Sequence, residues 1–178
     1  SIESALCELQ AQGGIDEVLF IPLYPHFADS TVQTSIAEAE RIIKQHKLTF
    51  NLKVQASFYV QEDYIKSLVT SAQEALASDY DHLLFSYHGL PESHLKMADP
   101  TGKHCMNSPD CCSQASSAHA TCYRHQILET TKAFVEKAQV PADKYSIAFQ
   151  SRLGRAKWLE PSTEETLREL AAKGVKKV

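Results

Sequence analysis

The sequence predicts an α/β fold of parallel, doubly wound strands. Three observations carry this prediction. Short apolar runs alternate four times with amphipathic helical stretches. Each run ends in proline, glycine or polar residues. Histidine, tyrosine and arginine gather at the carboxyl ends of the runs. An alternating strand–helix order requires parallel strands joined by right-handed crossovers, and open sheets of this kind hold ligands at their carboxyl edge.

The first element is a short amphipathic helix, Ser1–Gln12, ended by Gly13-Gly14. Glu17–Ile21 reads as a buried strand closed by Pro22, and PLYPHF follows as a stiff aromatic loop. Ser30 and Gln33 have the spacing of a capping box. The helix they open carries Val32, Ile36, Ala39 and Ile43 on one face and runs to Lys47. Leu52–Phe58 is the second strand. Gln61–Ala77 has the strongest helical period, with Ile65, Leu68, Val69, Ala72 and Leu76 in one stripe and Glu62 and Asp63 in the electropositive first turn. Leu83-Leu84-Phe85 is a buried strand that breaks into Ser86-Tyr87-His88-Gly89, and Pro91 forbids its continuation. Residues 92–120 have no period and read as a long irregular segment. Ile127, Leu128, Thr131, Phe134, Val135 and Ala138 mark another helix, and Tyr145–Phe149 is the fourth strand. Ser162 and Glu165 form a second capping box. Leu167, Leu170 and Ala171 face the core, and Gly174 ends that helix just before Val175–Val178, where a strand is due. Both ends of the chain read as cut from a longer protein.

Hydrophobic content of 43% and charged content of 22% belong to an ordinary globular chain, and a net charge of -4 gives no nucleic-acid surface. No apolar run approaches the roughly 20 residues that span a bilayer, and neither a signal peptide nor an amphipathic membrane anchor is evident. Four of the five cysteines fall between Cys105 and Cys122 in the order C-x5-C-C-x9-C. Such clustering points to metal or redox use in a reducing, cytoplasmic compartment rather than to a secreted disulfide scaffold. The spacing is not the C-x2–4-C of zinc fingers, yet soft thiolates suit iron–sulfur as well as zinc. His104, His119 and His125 are near enough in sequence to substitute as ligands. Cys7 reads as a buried thiol on the first helix.

The strand ends deliver Tyr24 and His26, Phe58 and Tyr59, Tyr87 and His88, and Gln150, Ser151 and Arg152. Aromatics with histidine and arginine suit a flat, partly anionic ligand. No glycine-rich phosphate loop follows any strand, which argues against a nucleotide site. His88 is the leading candidate for chemistry; its bland alternative is a histidine that hydrogen-bonds a neighbouring loop. Tyr24 and Phe27 either pack on a ligand face or stiffen a corner of the core. His26 and His82 read as structural or exposed.

Three stretches, in order, resemble the ferrochelatase family: VLFIPLYPHFADST, LLFSYHGLPES and FQSRLGRAKWLEPSTEETLREL. The resemblance spans nearly the whole chain except residues 103–122. It implies insertion of Fe²⁺, the substrate metal, into a porphyrin, with protoporphyrin IX expected. It also implies two similar α/β domains facing a porphyrin cleft. Residues 1–60 would be part of the first, 61–80 the crossover helix and 81–178 part of the second, with a cysteine insertion at 103–122. The family's amino-terminal part and a carboxyl-terminal part bearing a glutamate opposite the histidine would lie outside this chain, so the segment alone is expected to be inactive. By the same resemblance His88 is catalytic, as a base for a pyrrole proton or as a ligand to iron. Tyr24, Phe27 and Trp158 would contact the macrocycle, with plain core the alternative for Trp158, and Arg152 and Arg155 would either pair with its propionates or lie on a solvated loop. Some bacterial members carry an internal four-cysteine insertion holding a 2Fe–2S cluster, which implies Cys105, Cys111, Cys112 and Cys122 as its ligands. Zinc or free thiols are the alternatives. The ligand set of animal members is not present, because Ala28 stands where one of its cysteines falls. Two other readings compete: a related cobalt chelatase acting on a tetrapyrrole, and a non-catalytic iron–sulfur or zinc module.

Overall fold

A computed structural model of the chain describes every residue from Ser1 to Val178. Contacts divide the chain into two units, Ser1–Phe58 and Tyr59–Val178.

In the first unit, α1 (Ile2–Gln12) starts at a capping box between Ser1 and Ser4 and stops at Gly13, whose φ of 69° suits glycine. Strands β1 (Glu17–Phe20) and β2 (Asn51–Val54) pair in parallel, Glu17 opposite Asn51 through Phe20 opposite Val54. Helix α2 (Thr34–His46) crosses between them. Leu6, Ala39, Ile42 and Phe50 form the buried core, and Val18, Phe20 and Leu52 pack against it from the sheet.

Several expectations are corrected here. Ser30 caps nothing: Asp29–Gln33 is a π-helical turn in which the Ala28 carbonyl accepts the N–H groups of Thr31, Val32 and Gln33. Ser30 therefore falls inside the turn. Ile42 rather than Ile43 is fully buried, one position around α2 from the expected face, and Cys7 is only half-buried whereas Leu6 beside it is buried. The second strand ends at Val54, four residues early, because the chain turns so that Phe58 N–H meets the Pro25 carbonyl.

In the second unit, β3 (Leu83–His88) and β4 (Tyr145–Gln150) pair in parallel along their whole length. Helices α3 (Glu62–Leu76) and α5 (Tyr123–Ala138) cover one face. Phe134 and Val135 of α5 are buried there against Leu68, Val69 and Ala72 of α3 and Leu83, Phe85 and Tyr145 of the sheet. Phe85 meets Phe134 edge-to-face at 5.2 Å. The opposite face carries Ser86, whose hydroxyl bonds that of Thr163 at 2.8 Å, at the start of α6 (Thr163–Ala172). The capping box of Ser162 and Glu165 is present.

Four readings change. β3 does not break at Phe85 but runs on to His88, because each added residue keeps its partner on β4. Residues 92–120 are not without structure: α4 (Glu92–Met97) opens the segment, and short 3₁₀ turns cover Cys111–Ser113 and Ser117–Ala120. On α6 the buried pair is Thr166 and Leu170; Leu167 and Ala171 are exposed because only one narrow face meets the sheet. Val175–Val178 forms no strand, although the Lys177 carbonyl accepts the N–H groups of Asp81 and His82 just before β3. The sheets are two separate parallel pairs. No helix is long and apolar enough to cross a membrane.

Candidate active site and thiol nest

His88 is the last residue of β3 and its side chain is exposed, while the main chain just beyond it is held on every side. The Gly89 N–H donates to the Gln150 carbonyl at 2.7 Å. The Tyr123 hydroxyl donates to the His88 carbonyl at 2.9 Å. Residues 90–92 then run antiparallel to 157–159, with Leu159 N–H on the Leu90 carbonyl and Glu92 N–H on the Lys157 carbonyl. This pairing lays the Trp158 ring beside Gly89. A β-carbon at Gly89 would stand 2.9 Å from the Gln150 oxygen and 3.3 Å from Trp158 Cε3, so only glycine fits.

Burial pushes the Tyr87 and Tyr123 phenols up to about 12, each raised further by a neighbouring tyrosine, with the Thr131 bond opposing the rise at Tyr87. Both therefore stay protonated. Tyr87 shares a 2.7 Å hydrogen bond with Thr131, so α5 grips the end of β3 at two points.

At the end of β4, Ser151 takes φ 70°, a left-handed conformation rare outside glycine. Arg152 and Arg155 are exposed, and Arg152 helps lower the Glu165 carboxyl, which is held down chiefly by Ser162. Trp158 is half-buried and donates its Nε1–H to the Leu153 carbonyl. Thus His88, Gln150 and Trp158 come together around Gly89. Tyr24 and Phe27 belong to the first unit, Tyr24 49% exposed and Phe27 half-buried. His82 is buried and bonds the Ser146 hydroxyl at 2.8 Å. His26 is lowered by burial to about 4.

The thiol segment folds as a separate nest. Cys105, Cys111 and Cys122 are buried, Cys112 is half-buried, and all are free thiols. Cys122 caps α5, accepting the His125 N–H at 3.4 Å. Hydrogen bonding from Cys112, then the His125 N–H and Cys105, shifts the Cys122 thiol down against the cost of burial. The shared hydrogen bond with Cys122 pushes Cys112 up; burial first, then Cys122, pushes Cys105 up. A thiolate at a helix N-terminus is also favoured by the helix dipole. Arg124 reaches Cys111 Sγ at 4.0 Å. His104 and His125 do not join the thiols: their ring nitrogens bond the Cys111 and Cys112 carbonyls, and His119 stacks on His125 at 3.6 Å. No group of three or more His, Cys, Asp or Glu side chains has the spacing of a metal-ion site.

Three residues of this region escape a reading of the sequence. Tyr123 and Arg124 gain their roles from contacts across 35 and 13 positions. Asp99 carried a local signal, an aspartate two residues before a threonine, which is the pattern of a side-chain turn.

Parallel α/β pairs, one with histidine at a strand end beside a tryptophan and an arginine-bearing loop, place the chain in the α/β class, whose open sheets hold ligands at the carboxyl ends of their strands. The sequence model of ferrochelatase matches residues 1–178, and the chain belongs to the ferrochelatase family. It is 53% identical to the ferrochelatase of Pseudomonas fluorescens (strain Pf0-1) and 52% identical to that of Stutzerimonas stutzeri (strain A1501), each over 179 aligned residues. Ferrochelatase of Ectopseudomonas mendocina (strain ymp) is 50% identical. In each case the match covers 100% of this chain and 52% of the relative, so the chain spans about half the length of the curated relatives it matches.

Proposed function

We propose that this chain is the central part of a ferrochelatase, in which Fe²⁺ and a porphyrin, protoporphyrin IX, give haem and two protons. The observation that carries this reading is His88: an exposed imidazole on a strand end whose backbone is held rigid. Metal insertion needs pyrrole N–H protons removed as the nitrogens turn toward the iron. An imidazole nitrogen in its neutral form, carried on a firmly held strand end, takes such a proton as a general base. Trp158, half-buried beside Gly89, offers a ring face to the macrocycle. Arg152 and Arg155 are free of buried partners and suit propionate carboxylates through paired hydrogen bonds. This segment by itself is proposed to be inactive. The test is iron insertion by the full-length protein, assayed without oxygen. His88→Gln is expected to lower kcat by about 10²–10⁴ while porphyrin binding stays. Undiminished turnover by His88→Gln overturns the reading.

The thiol nest is proposed to hold a 2Fe–2S cluster through Cys105, Cys111, Cys112 and Cys122. The donors fit in number, softness and burial, and the N–H of His125 already points at the Cys122 sulfur as hydrogen bonds to cluster sulfurs do. The four cysteines would hold the cluster as thiolates, and the cluster would supply a covalent clip in place of their present contacts. When bound, the cluster would cross-link residues 105–122 and need not take part in metal insertion, since the substrate iron stays ferrous. Protein purified without oxygen is expected to absorb above about 300 nm and to carry about two irons and two sulfides per chain. Zinc in their place makes the nest a structural clip, and metal-free thiols overturn the cluster. Free thiols at five positions accord with a cytoplasmic location.

A further inference from the structure

We propose that Tyr123 is a positioning residue for His88, and that through it the state of the cysteine nest reaches the end of β3. The inference rests on the reading of His88 as the proton acceptor. Only one peptide unit separates the His88 α-carbon from the turn at Gly89, and both polar atoms of that unit are fixed. Its carbonyl accepts from the Tyr123 hydroxyl at 2.9 Å, and its N–H donates to the Gln150 carbonyl at 2.7 Å. Trp158 closes the remaining side. With this peptide unit held at both polar atoms, the placement of the His88 α-carbon, from which the imidazole projects, depends in part on where Tyr123 stands.

Tyr123 is the first residue of α5, and Cys122 is the cap of that helix. The Cys122 sulfur accepts the His125 N–H, so the sulfur is tied to the first turn of α5, which also carries Tyr123. Eight residues further along α5, Thr131 holds Tyr87. A shift of the first turn is therefore a small rotation of α5 about a fixed second contact. The His88 carbonyl lies at the moving end.

The test uses full-length protein labelled with ¹³C at histidine Cε1. Tyr123→Phe, which removes one hydroxyl, is expected to move the His88 resonance and to lower kcat about tenfold, since small misplacements of a catalytic group are costly. KM for porphyrin is expected to stay within about twofold, because no substrate contact is lost. Tyr145→Phe, at the far end of the same sheet, is expected to change neither. An unmoved resonance with kcat within about twofold overturns the proposal. Stripping the metal that the protein carries, or adding Zn²⁺ to thiols that carry none, is expected to move the His88 resonance in the unsubstituted protein and not in Tyr123→Phe. Equal movement in both overturns the link to the nest. Should His88→Gln prove fully active, the catalytic reading falls while the resonance still decides whether Tyr123 positions the ring. If Tyr123→Phe does not fold, amide exchange of Gly89 in the unsubstituted protein decides: slow exchange is expected, and exchange at the rate of an open loop overturns the proposal.

Discussion

Asp99 Oδ2 accepts the backbone N–H of Cys105 at 2.8 Å, so a single buried carboxylate fixes the entry to the thiol nest. The same oxygen takes the His104 N–H at 2.7 Å, and Oδ1 takes the N–H and hydroxyl of Thr101 at 2.8 Å. Four donors meet one side chain. Without it, three main-chain N–H groups of a loop would lose their partner where Cys105 is only 2% exposed.

Asp99→Ala is expected to destabilise the second unit by about 1–3 kcal/mol, the cost of leaving buried donors unmade. Thiol reagents are expected to reach Cys105 faster in that variant. Burial by itself would raise the Asp99 carboxyl, but the bonds from Cys105, Thr101 and His104 outweigh it and hold the group well below the ordinary carboxylate range. A carboxyl lowered in the folded state contributes stability that is complete above its unfolded value, about 3.9, and is lost as pH falls toward its folded value. Denaturant unfolding between pH 4 and 8 is therefore expected to show no loss traceable to Asp99, with the difference from Asp99→Ala shrinking only in stronger acid. A difference that already collapses at pH 6 would sink this account.

Gly89→Ala tests the packing that closes the His88 turn. The backbone there is not in the left-handed region, so the penalty is spatial: the new carbon lands 2.9 Å from a main-chain oxygen that is itself held in β4. Overpacking of this kind costs about 1–3 kcal/mol. Activity is expected to fall with it, because relief comes from moving either Gln150 or the Trp158 ring. Wild-type stability in Gly89→Ala would mean that the turn is looser than the contacts indicate.

Phe134→Ala addresses the core that carries β3. Phe134 is buried between α3 and the sheet and meets Phe85 edge-to-face. Its removal leaves a cavity and is expected to cost about 3–5 kcal/mol in thermal or denaturant unfolding. A loss under about 1 kcal/mol would show that α3 collapses into the gap.

Periodicity made the helices legible, because a stripe such as Ile65, Leu68, Val69, Ala72 and Leu76 repeats only at a helical spacing. It could not give the extent of β3, since Ser86 and His88 owe their strand conformation to partners on β4 some sixty residues away. Nor could it separate Ile42 from Ile43, which differ by one helical step in how they meet the sheet. At Ser30 a local capping rule lost to a wide turn closed on the Ala28 carbonyl. For the site, residue type and order marked His88 and the four cysteines. The groups that hold the His88 turn, Tyr123 and Gln150, act through main-chain atoms far along the chain, and such contacts leave no period or motif behind; Asp99, which holds Cys105 from six positions away, left only the short pattern of a side-chain turn.

His26 gives the first unit a pH dependence of its own. Burial lowers its imidazole to about 4, whereas in the unfolded chain it titrates near its ordinary 6.5. Between those values the unfolded chain binds the proton and the folded one does not, so stability is complete above about 6.5 and falls as pH drops toward about 4. Below that the two states carry the same proton and the loss levels off. The loss over the window is at most on the order of 3 kcal/mol. His82, lowered chiefly by burial in the second unit, adds a loss of the same sign. Replacing His26 by Gln is expected to flatten the pH dependence of unfolding between about 6.5 and 4 while leaving the contribution of His82. A variant whose stability falls with pH in parallel with the unsubstituted chain would show that His26 takes up its proton without resisting the fold.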